Sequence, residues 1–250
     1  MSKKIRLHQF LSRAGLFRSK YDLFAAIKNG AIKVDNETVT SPNYFVKKSH
    51  KVFYKGSQVN MRKDKIYLLL NKPTGYLSSK ITENDKKLGK VGVFYLLRDI
   101  DDETKKTLFC VGRLDENTSG LLIITNDGEL SSKITDPNSN IEKLYEVELE
   151  KPVSLSDKNR IEKGIKINLE ENGVNKDYKT KPCKIDIQDN RCVITVSEGK
   201  KREVRRMFEA VGNKVLRLKR VCIGKLDLRK LNIPVGKYKE VEKEFILGNI

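Results

Sequence analysis

The 250-residue sequence contains no tryptophan and only two histidines, His8 and His50. A hydrolase of the Ser-His-Asp or Cys-His type needs a histidine beside its nucleophile, so these counts argue strongly against that chemistry. A metal site with three histidine ligands is excluded outright. The shortage of imidazole favours chemistry carried by carboxylates, aromatic rings and cations.

The sequence also lacks paired cysteines and long apolar runs. Its four cysteines form no C-x-x-C pair, a pattern typical of free thiols in a reducing cytosol rather than of a disulfide or zinc framework. No apolar run approaches the roughly 20 residues that span a bilayer. A secretory signal requires an apolar stretch after its basic N-terminal residues, and no such stretch follows residues 1–6. We therefore expect a cytoplasmic protein that has no membrane partner.

Positive charge is abundant, and it is clustered. Lys plus Arg number 51 against 33 Asp plus Glu, a formal net charge of +18. Residues 1–65 have a net charge of +11, residues 197–230 have +8, and the remainder is close to neutral. Clustered cations favour phosphate backbones, because neutralising phosphates releases counterions. A solvated basic surface is the alternative, but we predict that the partner is a nucleic acid.

The pattern of apolar residues predicts two α+β units. Residues 1–62 form the first, with a helix from about Arg6 to Ala14 and a second helix that Ser19 caps and Gly30 ends. Residues 31–39 then read as a hairpin.

Residues 63–250 form the larger unit, whose short strands and hairpin signals predict a largely antiparallel mixed sheet flanked by helices. Within it we expect a loop over residues 80–92, a buried strand over 120–125 and a helix over 201–211.

A polar loop over residues 111–120 has a glycine near each end and precedes the most apolar strand. It contains Asp115 and Arg113. Nearby guanidinium groups favour the charged form of a carboxylate, which suits a nucleophile or an electrostatic stabiliser. The alternative is structural, with Asp115 capping a turn in which Thr118 and Ser119 add hydrogen bonds. The residues of the loop alone leave both interpretations open.

Four ordered segments carry a family resemblance. Residues 111–130, VGRLDENTSGLLIITNDGEL, resemble the signature of the pseudouridine synthases that act on ribosomal RNA, in the branch of small-subunit synthase A and its large-subunit relatives. Residues 72–76, 142–145 and 198–220 resemble three further motifs of that family in the same order. Residues 1–62 resemble the S-four-type RNA-binding domain, or αL motif. The resemblance covers nearly the whole chain and implies an enzyme that isomerises uridine to pseudouridine.

The resemblance also implies roles for particular residues. Asp115 matches the essential aspartate, Tyr145 the aromatic residue that stacks on the target base, and Arg205 the cation that pairs with the aspartate. It implies neither a metal nor an organic cofactor, and ribosomal RNA, free or in a pre-ribosomal particle, as the partner, with no obligate protein partner. Further residues are expected to contact substrate or RNA: Arg13, Arg18, Lys20, Lys72, Arg113, Arg202, Arg206, Leu218 and Arg220.

Four points remain open at the level of sequence. A non-catalytic protein that binds ribosomal RNA through the same basic segments is the main alternative. An RNA methyltransferase with the same first domain would need a Gly-rich turn between a strand and a helix, and residues 89–92 are a poor candidate. Residues 205–220 are more similar to the large-subunit enzymes, so large-subunit RNA is the favoured substrate. Glu203 departs from the family pattern by placing a carboxylate inside the basic motif.

Overall fold

The computed structural model describes residues 5–17, 20–47, 49–61, 64–171 and 174–250. Its first unit packs two helices on short antiparallel strands. The elements of this unit are β1 (Ile5–Arg6), α1 (Leu7–Ala14), α2 (Lys20–Lys28), β2 (Ile32–Val34), β3 (Glu37–Thr38), β4 (Phe45–Val46), β5 (Val52–Tyr54) and β6 (Ser57–Val59).

The first unit follows the predicted helical periodicity. Leu7, Phe10 and Leu11 lie on one face of α1 and are buried, as expected for apolar residues spaced three and four apart. They pack in one cluster with Leu23 and Ile27 of α2. Gly15 ends α1 in a left-handed conformation with φ +74°. The predicted cap, Ser19, lies outside the described residues, as do residues 62 and 63, so the boundary between the units stays a prediction.

The second unit contains the larger sheet. Its elements are β7 (Tyr67–Lys72), β8 (Tyr76–Leu77), α3 (Glu83–Lys87), β9 (Val91–Gly92), a 3-10 turn (Val93–Leu96), α4 (Asp102–Thr107), β10 (Phe109–Val111), β11 (Ser119–Thr125), α5 (Gly128–Thr135), β12 (Lys143–Leu149), α6 (Leu155–Glu162), β13 (Lys166–Glu171), β14 (Val174–Lys179), β15 (Lys184–Gln188), β16 (Arg191–Val196), α7 (Glu203–Glu209), β17 (Val215–Ile223), β18 (Leu226–Asp227), α8 (Leu228–Leu231), β19 (Tyr238–Glu240) and α9 (Lys243–Leu247).

The main sheet has the order β15-β16-β12-β17-β11-β7-β19, with β10 also paired to β11 and β18 to β17. Across the described residues, β11 and β17 form its one parallel pair, and every other neighbouring pair is antiparallel. The prediction of an α+β fold with a largely antiparallel sheet is confirmed. No helix in these ranges is both long enough and apolar enough to cross a membrane.

Two hydrophobic clusters lie side by side on one face of this sheet. Leu68, Leu70 and Leu122 belong to the cluster over β7 and β11. Val147 and Leu218 belong to the cluster over β12 and β17, which α7 covers. Alternate residues of a strand point to opposite faces, so the intervening residues of β7 and β11 form a separate cluster on the other face. The boundary between the first two clusters is where the candidate site lies.

Two predicted elements differ from the structure. The sequence predicts a loop over residues 80–92, but α3 lies within them. Thr82 and Asp85 form a reciprocal capping box that nucleates this short helix. The helix expected over 201–211 begins only at Glu203, because Arg202 adopts a left-handed conformation with φ +57°.

Candidate active site

The loop that carries Asp115 connects β10 to β11 and is anchored mainly through its backbone. The Thr118 amide donates to the Asp115 carbonyl at 3.0 Å and closes a turn. Ser78 Oγ donates to the Leu114 carbonyl at 2.8 Å and accepts from the Leu114 amide at 3.2 Å. The Leu114 side chain is buried in the cluster below. The Asp115 carboxylate, by contrast, keeps 35% of its side-chain surface exposed.

Lys72 is fully buried and holds this loop from beneath. Its Nζ lies within hydrogen-bonding distance of the carbonyls of Thr118 at 2.8 Å, Pro73 at 3.0 Å, Asp115 at 3.1 Å and Glu116 at 3.3 Å. Burial lowers the pKa of Lys72 to about 8, while the carboxylates of Asp115 and Glu116 oppose that shift. In this structure the buried ammonium of Lys72 is satisfied by carbonyls and anchors the loop, and its contact with substrate or RNA stays a prediction.

Arg205 anchors the same loop from α7. Its Nη2 donates to the Asn117 carbonyl at 2.8 Å and its Nη1 to the Val215 carbonyl at 2.9 Å. Only 7% of Arg205 is exposed, and its Nε has no hydrogen-bond partner within the described residues.

Arg202, not Arg205, is the guanidinium that approaches Asp115. Its Nη1 lies 4.0 Å from Asp115 Oδ2, and no other cation of the described ranges comes as close to that carboxylate. The expected pairing of Arg205 with Asp115 is therefore absent from this structure, because the Arg205 fork is occupied by two backbone carbonyls. Arg202 also lies 4.0 Å from Glu209.

Arg220 is another buried anchor. It is 2% exposed, and it donates from Nε to the Leu121 carbonyl at 2.9 Å and from Nη2 to the Gly112 carbonyl at 2.6 Å. It therefore joins β17 to the start of the Asp115 loop. Two nitrogens of its guanidinium donate to the backbone of the site, and a contact of Arg220 with RNA stays a prediction.

Several predicted site residues are cross-strand partners in one row across neighbouring strands of the sheet, which is called a rung here. Gly120 pairs with Lys72 on one side and with Arg220 on the other, and Arg220 in turn pairs with Tyr145. Neighbouring strands are about 4.8 Å apart, so the rung brings Tyr145 within two strands of the end of the Asp115 loop. The register of β12 and β17 shifts between Leu144 and Tyr145, an irregularity of the kind that re-aims side chains next to active sites. Tyr145 packs partly buried against both clusters of this face.

The remaining predicted residues fall into three environments. Leu218 is buried in the cluster that α7 covers. Arg113 is exposed and, with Lys20, lines a cleft of about 300 Å³ between the first unit and the β10 region. Arg206 is partly exposed and donates to the Lys201 carbonyl at 3.0 Å.

Besides Lys20, two further expected RNA contacts, Arg13 and Arg18, lie within residues 1–62 of the sequence. The Arg13 guanidinium lies beside Gly128 of the second unit, 3.8 Å from where a Cβ would be, so it bridges the two units. Arg18 is outside the described residues. Among those described, no group of three or more His, Cys, Asp or Glu side chains is arranged to hold a metal ion.

Comparison with known proteins identifies this arrangement. Residues 66–210 match the family model described as RNA pseudouridylate synthase. The chain belongs to the RNA pseudouridine synthase family. Residues 5–52 match the S4 domain. The synthase is therefore an isomerase with an RNA-binding domain at its N-terminal side, and the methyltransferase interpretation is wrong.

Individual relatives cover nearly the whole synthase. An uncharacterized RNA pseudouridine synthase from Bacillus subtilis is 34% identical over 96% of both chains. Ribosomal small subunit pseudouridine synthase A from Salmonella typhimurium is 34% identical, covering 88% of this chain and 89% of the relative. Ribosomal large subunit pseudouridine synthase B from Bacillus subtilis is 32% identical, with 91% and 88% covered. A solved pseudouridylate synthase structure superposes with a TM-score of 0.66 at 30% identity, covering 98% of this chain and all of that one.

Sequence reasoning missed how the site is built. Lys72 and Arg220 were recognised as parts of motifs but assigned to RNA, and Ser78 was not singled out. The sequence signal that could have identified the anchors is that each of the two cations lies within or at the end of an apolar strand. A lysine or arginine in that position is buried unless the strand lies at an edge.

Proposed function

We propose that the synthase isomerises a uridine of ribosomal RNA, with Asp115 as its catalytic carboxylate. The observation that carries the proposal is that the backbone of the Asp115 loop is held by buried cations while the Asp115 carboxylate remains accessible. The buried cations Lys72, Arg205 and Arg220 bind backbone carbonyls in and beside the loop. The carboxylate itself stays partly exposed, with Arg202 4.0 Å away. A side chain held by a rigid backbone and left open to a ligand is what catalysis requires.

The reaction breaks the N1–C1′ glycosidic bond of uridine and forms a C5–C1′ bond to the same uracil. The proton on C5 is lost, and N1 gains one, so the product has the mass of uridine. The Asp115 carboxylate acts either as the nucleophile or as the base at C2′. The cation of Arg202 offsets charge at the carboxylate, and the ring of Tyr145 offers a flat surface for the detached base.

The target nucleotide has to leave its stack to reach Asp115, which costs a few kcal/mol. Phosphate contacts from exposed cations offset this cost. Arg113 and Lys20 line opposite sides of the cleft between the two units, and Arg206 is partly exposed on α7. We propose that RNA passes from the Asp115 loop along this cleft. Residues 1–62 then add affinity rather than chemistry.

Ribosomal RNA is the proposed substrate because relatives of similar identity carry names of ribosomal small- and large-subunit synthases. Large-subunit RNA, free or in a pre-ribosomal particle, is favoured by the resemblance of residues 205–220. A cytoplasmic location belongs to the same proposal. Mapping of pseudouridine in both ribosomal RNAs from cells that lack the synthase tests the substrate, because one site should revert to uridine.

The test of the role of Asp115 is the Asp115→Asn variant, which removes the charge and nearly preserves the shape. We expect turnover to fall by several orders of magnitude, while RNA affinity holds or rises slightly because a negative charge near phosphates is gone. Tritium release from uridine labelled at C5 measures turnover, and a melting curve measures stability.

The matched control is Glu116→Gln in the same loop, whose carboxylate pairs with Lys90 rather than facing Arg202. It should keep most of the activity. If Asp115 only caps a turn, Asp115→Asn should instead keep its activity, and any effect should be on stability, with a loss of about 1 kcal/mol when the cap is removed by Asp115→Ala. Substantial turnover by Asp115→Asn would reject the catalytic role of Asp115, whereas no turnover by the wild type would favour the non-catalytic RNA-binding alternative.

A further inference from the structure

Two buried carboxyl groups meet where α7 begins. Glu198 lies in the segment after β16 and is 6% exposed, and Glu203 is the first residue of α7 and is 5% exposed. Glu198 accepts hydrogen bonds from the Lys181 amide at 2.7 Å and from the Tyr178 hydroxyl. Glu203 Oε2 accepts from the Lys200 amide at 3.0 Å. These contacts supply donors to both carboxyl groups from two segments, namely residues 178–181 at the end of β14 and the residues just before α7.

Hydrogen bonding between the two carboxyl groups shifts their pKa values in opposite directions, lowering that of Glu198 and raising that of Glu203. Carboxylates are acceptors only when ionised, so this bond needs one proton on the pair. Burial, together with the hydrogen bond and charge of Glu198, raises the pKa of Glu203 to about 8. Burial also acts to raise the pKa of Glu198, but hydrogen bonds from Glu203, Tyr178 and the Lys181 amide lower it. The proton therefore resides on Glu203, and Glu198 is the ionised partner.

Further ionisable groups face the pair from the surrounding elements. Lys143 at the start of β12 and Lys181 after β14 contribute positive charge. Cys183 lies near both carboxyl groups, and burial raises the pKa of its thiol to about 12. Lys200 lies over the Tyr178 ring at 4.7 Å. The positive charges compensate one ionised carboxylate, while a second would stand beside it in the same buried space.

The position of the pair connects it to the reaction. Arg202, which approaches Asp115, directly precedes Glu203. Arg205, which holds the Asn117 carbonyl, lies two residues after it. Any movement of the first turn of α7 therefore shifts both guanidinium groups that act on the Asp115 loop.

We propose that Glu203 is a positioning residue whose proton, shared with Glu198, fixes the start of α7 and thereby keeps the Asp115 loop in its active geometry. Loss of that proton places two negative charges in one buried site. Their repulsion drives Glu203 toward water and displaces Arg202 and Arg205. Alkaline pH then lowers turnover. This last step rests on the proposed role of Asp115.

The test is Glu203→Gln in the full-length synthase, because a glutamine amide donates to Glu198 as the protonated acid does, at every pH. Folded Glu203 keeps a proton that the unfolded chain releases near its ordinary pKa of 4.5, so wild-type stability should fall as the pH rises from about 4.5 to 8. The melting temperature of Glu203→Gln should lack this decline. Wild-type kcat on ribosomal RNA transcripts should fall by up to about tenfold between pH 7 and 9, the change in the protonated fraction of one group with a pKa of about 8, and that of Glu203→Gln should not.

Two further variants sharpen the result. Glu170→Gln removes an exposed carboxylate that pairs with Lys201 at 3.7 Å, and it should keep the wild-type pH profiles. Glu198→Gln should be less stable than Glu203→Gln, because its amide would turn a donor toward the Lys181 amide or the Tyr178 hydroxyl.

The opposite ranking of Glu198→Gln and Glu203→Gln would overturn the placement of the proton. If the melting temperatures of wild type and Glu203→Gln changed with pH in the same way, the claim that folded Glu203 keeps a proton would be overturned. If their kcat values changed with pH in the same way, the claim that this proton affects the Asp115 loop would be overturned. The melting measurement does not depend on the role of Asp115. An active Asp115→Asn variant would thus reject the proposed function while the melting result still stood.

Discussion

At the scale of the residue, burial sorts the cations of the site into two kinds. Lys72, Arg205 and Arg220 are buried, and each donates to backbone carbonyls. A buried cation is costly unless such partners satisfy it. Arg113 and Arg202 keep their guanidinium groups accessible. Sequence assigned most of these side chains to substrate or RNA because a basic motif does not reveal which of its members face inward.

The variants Arg202→Ala and Arg205→Ala should separate these two kinds. Arg205→Ala leaves the Asn117 and Val215 carbonyls without their donor, so we expect a loss of about 1–3 kcal/mol in the free energy of unfolding as well as reduced turnover. Arg202→Ala should lower turnover while stability changes by less than about 1 kcal/mol, because that guanidinium is 40% exposed. Urea denaturation and tritium release measure the two quantities.

Arg205→Lys serves as the conservative control and should be milder than Arg205→Ala, since it keeps the charge and loses the forked geometry. Equal stability of Arg202→Ala and Arg205→Ala would contradict the assignment of Arg205 as an anchor.

At the scale of the element, the site depends on a close approach of β11 and β17. Gly120 has φ +107°, and a Cβ built on it would lie 2.0 Å from the Arg220 carbonyl oxygen. The parallel pairing of these strands is short, covering Ser119 and Gly120. This approach sets the distance between the end of the Asp115 loop and the strand that carries Arg220. Glycine is required here because any side chain would collide with backbone rather than with a movable group.

We therefore expect Gly120→Ala to destabilise the synthase by at least about 2 kcal/mol, through positive φ and through separation of the two strands. Differential scanning calorimetry of the purified variant measures the loss. Gly199→Ala is the matched control, because a Cβ at that position meets nothing within 4 Å and its φ is not positive. A Gly120→Ala variant that melts with the wild type would show that the strands accommodate a side chain.

At the scale of the whole molecule, the two basic segments occupy different structural settings. Residues 1–65 include the first unit, whose Lys20 lines the cleft opposite Arg113. Residues 197–230 supply α7 and β17, where two cations, Arg205 and Arg220, are buried as anchors, and Glu198 and Glu203 are buried as well. The two buried cations and the two buried carboxyl groups cancel in formal charge, so the net charge of +8 in the second segment is carried by side chains that are not buried. Long-range attraction of RNA depends on the exposed cations of both segments.

The salt dependence of RNA binding tests this placement. The double variant Lys20→Gln/Arg113→Gln should flatten the slope of log K against log salt by about 0.7 for each phosphate of single-stranded RNA that the variant no longer neutralises. Lys230→Gln is the control, because α8 packs through Leu228 and Leu231 on the opposite face of the sheet. Titrations at several salt concentrations measure the slopes. An unchanged slope in the double variant would exclude the cleft as the path of the RNA.

The sequence by itself determined the α+β class, the helix Leu7–Ala14 with its glycine end, the buried strand before Asn126 and the ordered motifs that identify the family. These features are local, because apolar spacing, turn residues and short motifs can be recognised without knowing which distant residues they contact. Tertiary structure decided what sequence left open. Long-range strand pairing places Lys72 and Arg220 inside and leaves Asp115 accessible beside Arg202. It also brings Glu198 and Glu203 together, because burial and hydrogen-bond partners depend on residues far apart in the chain.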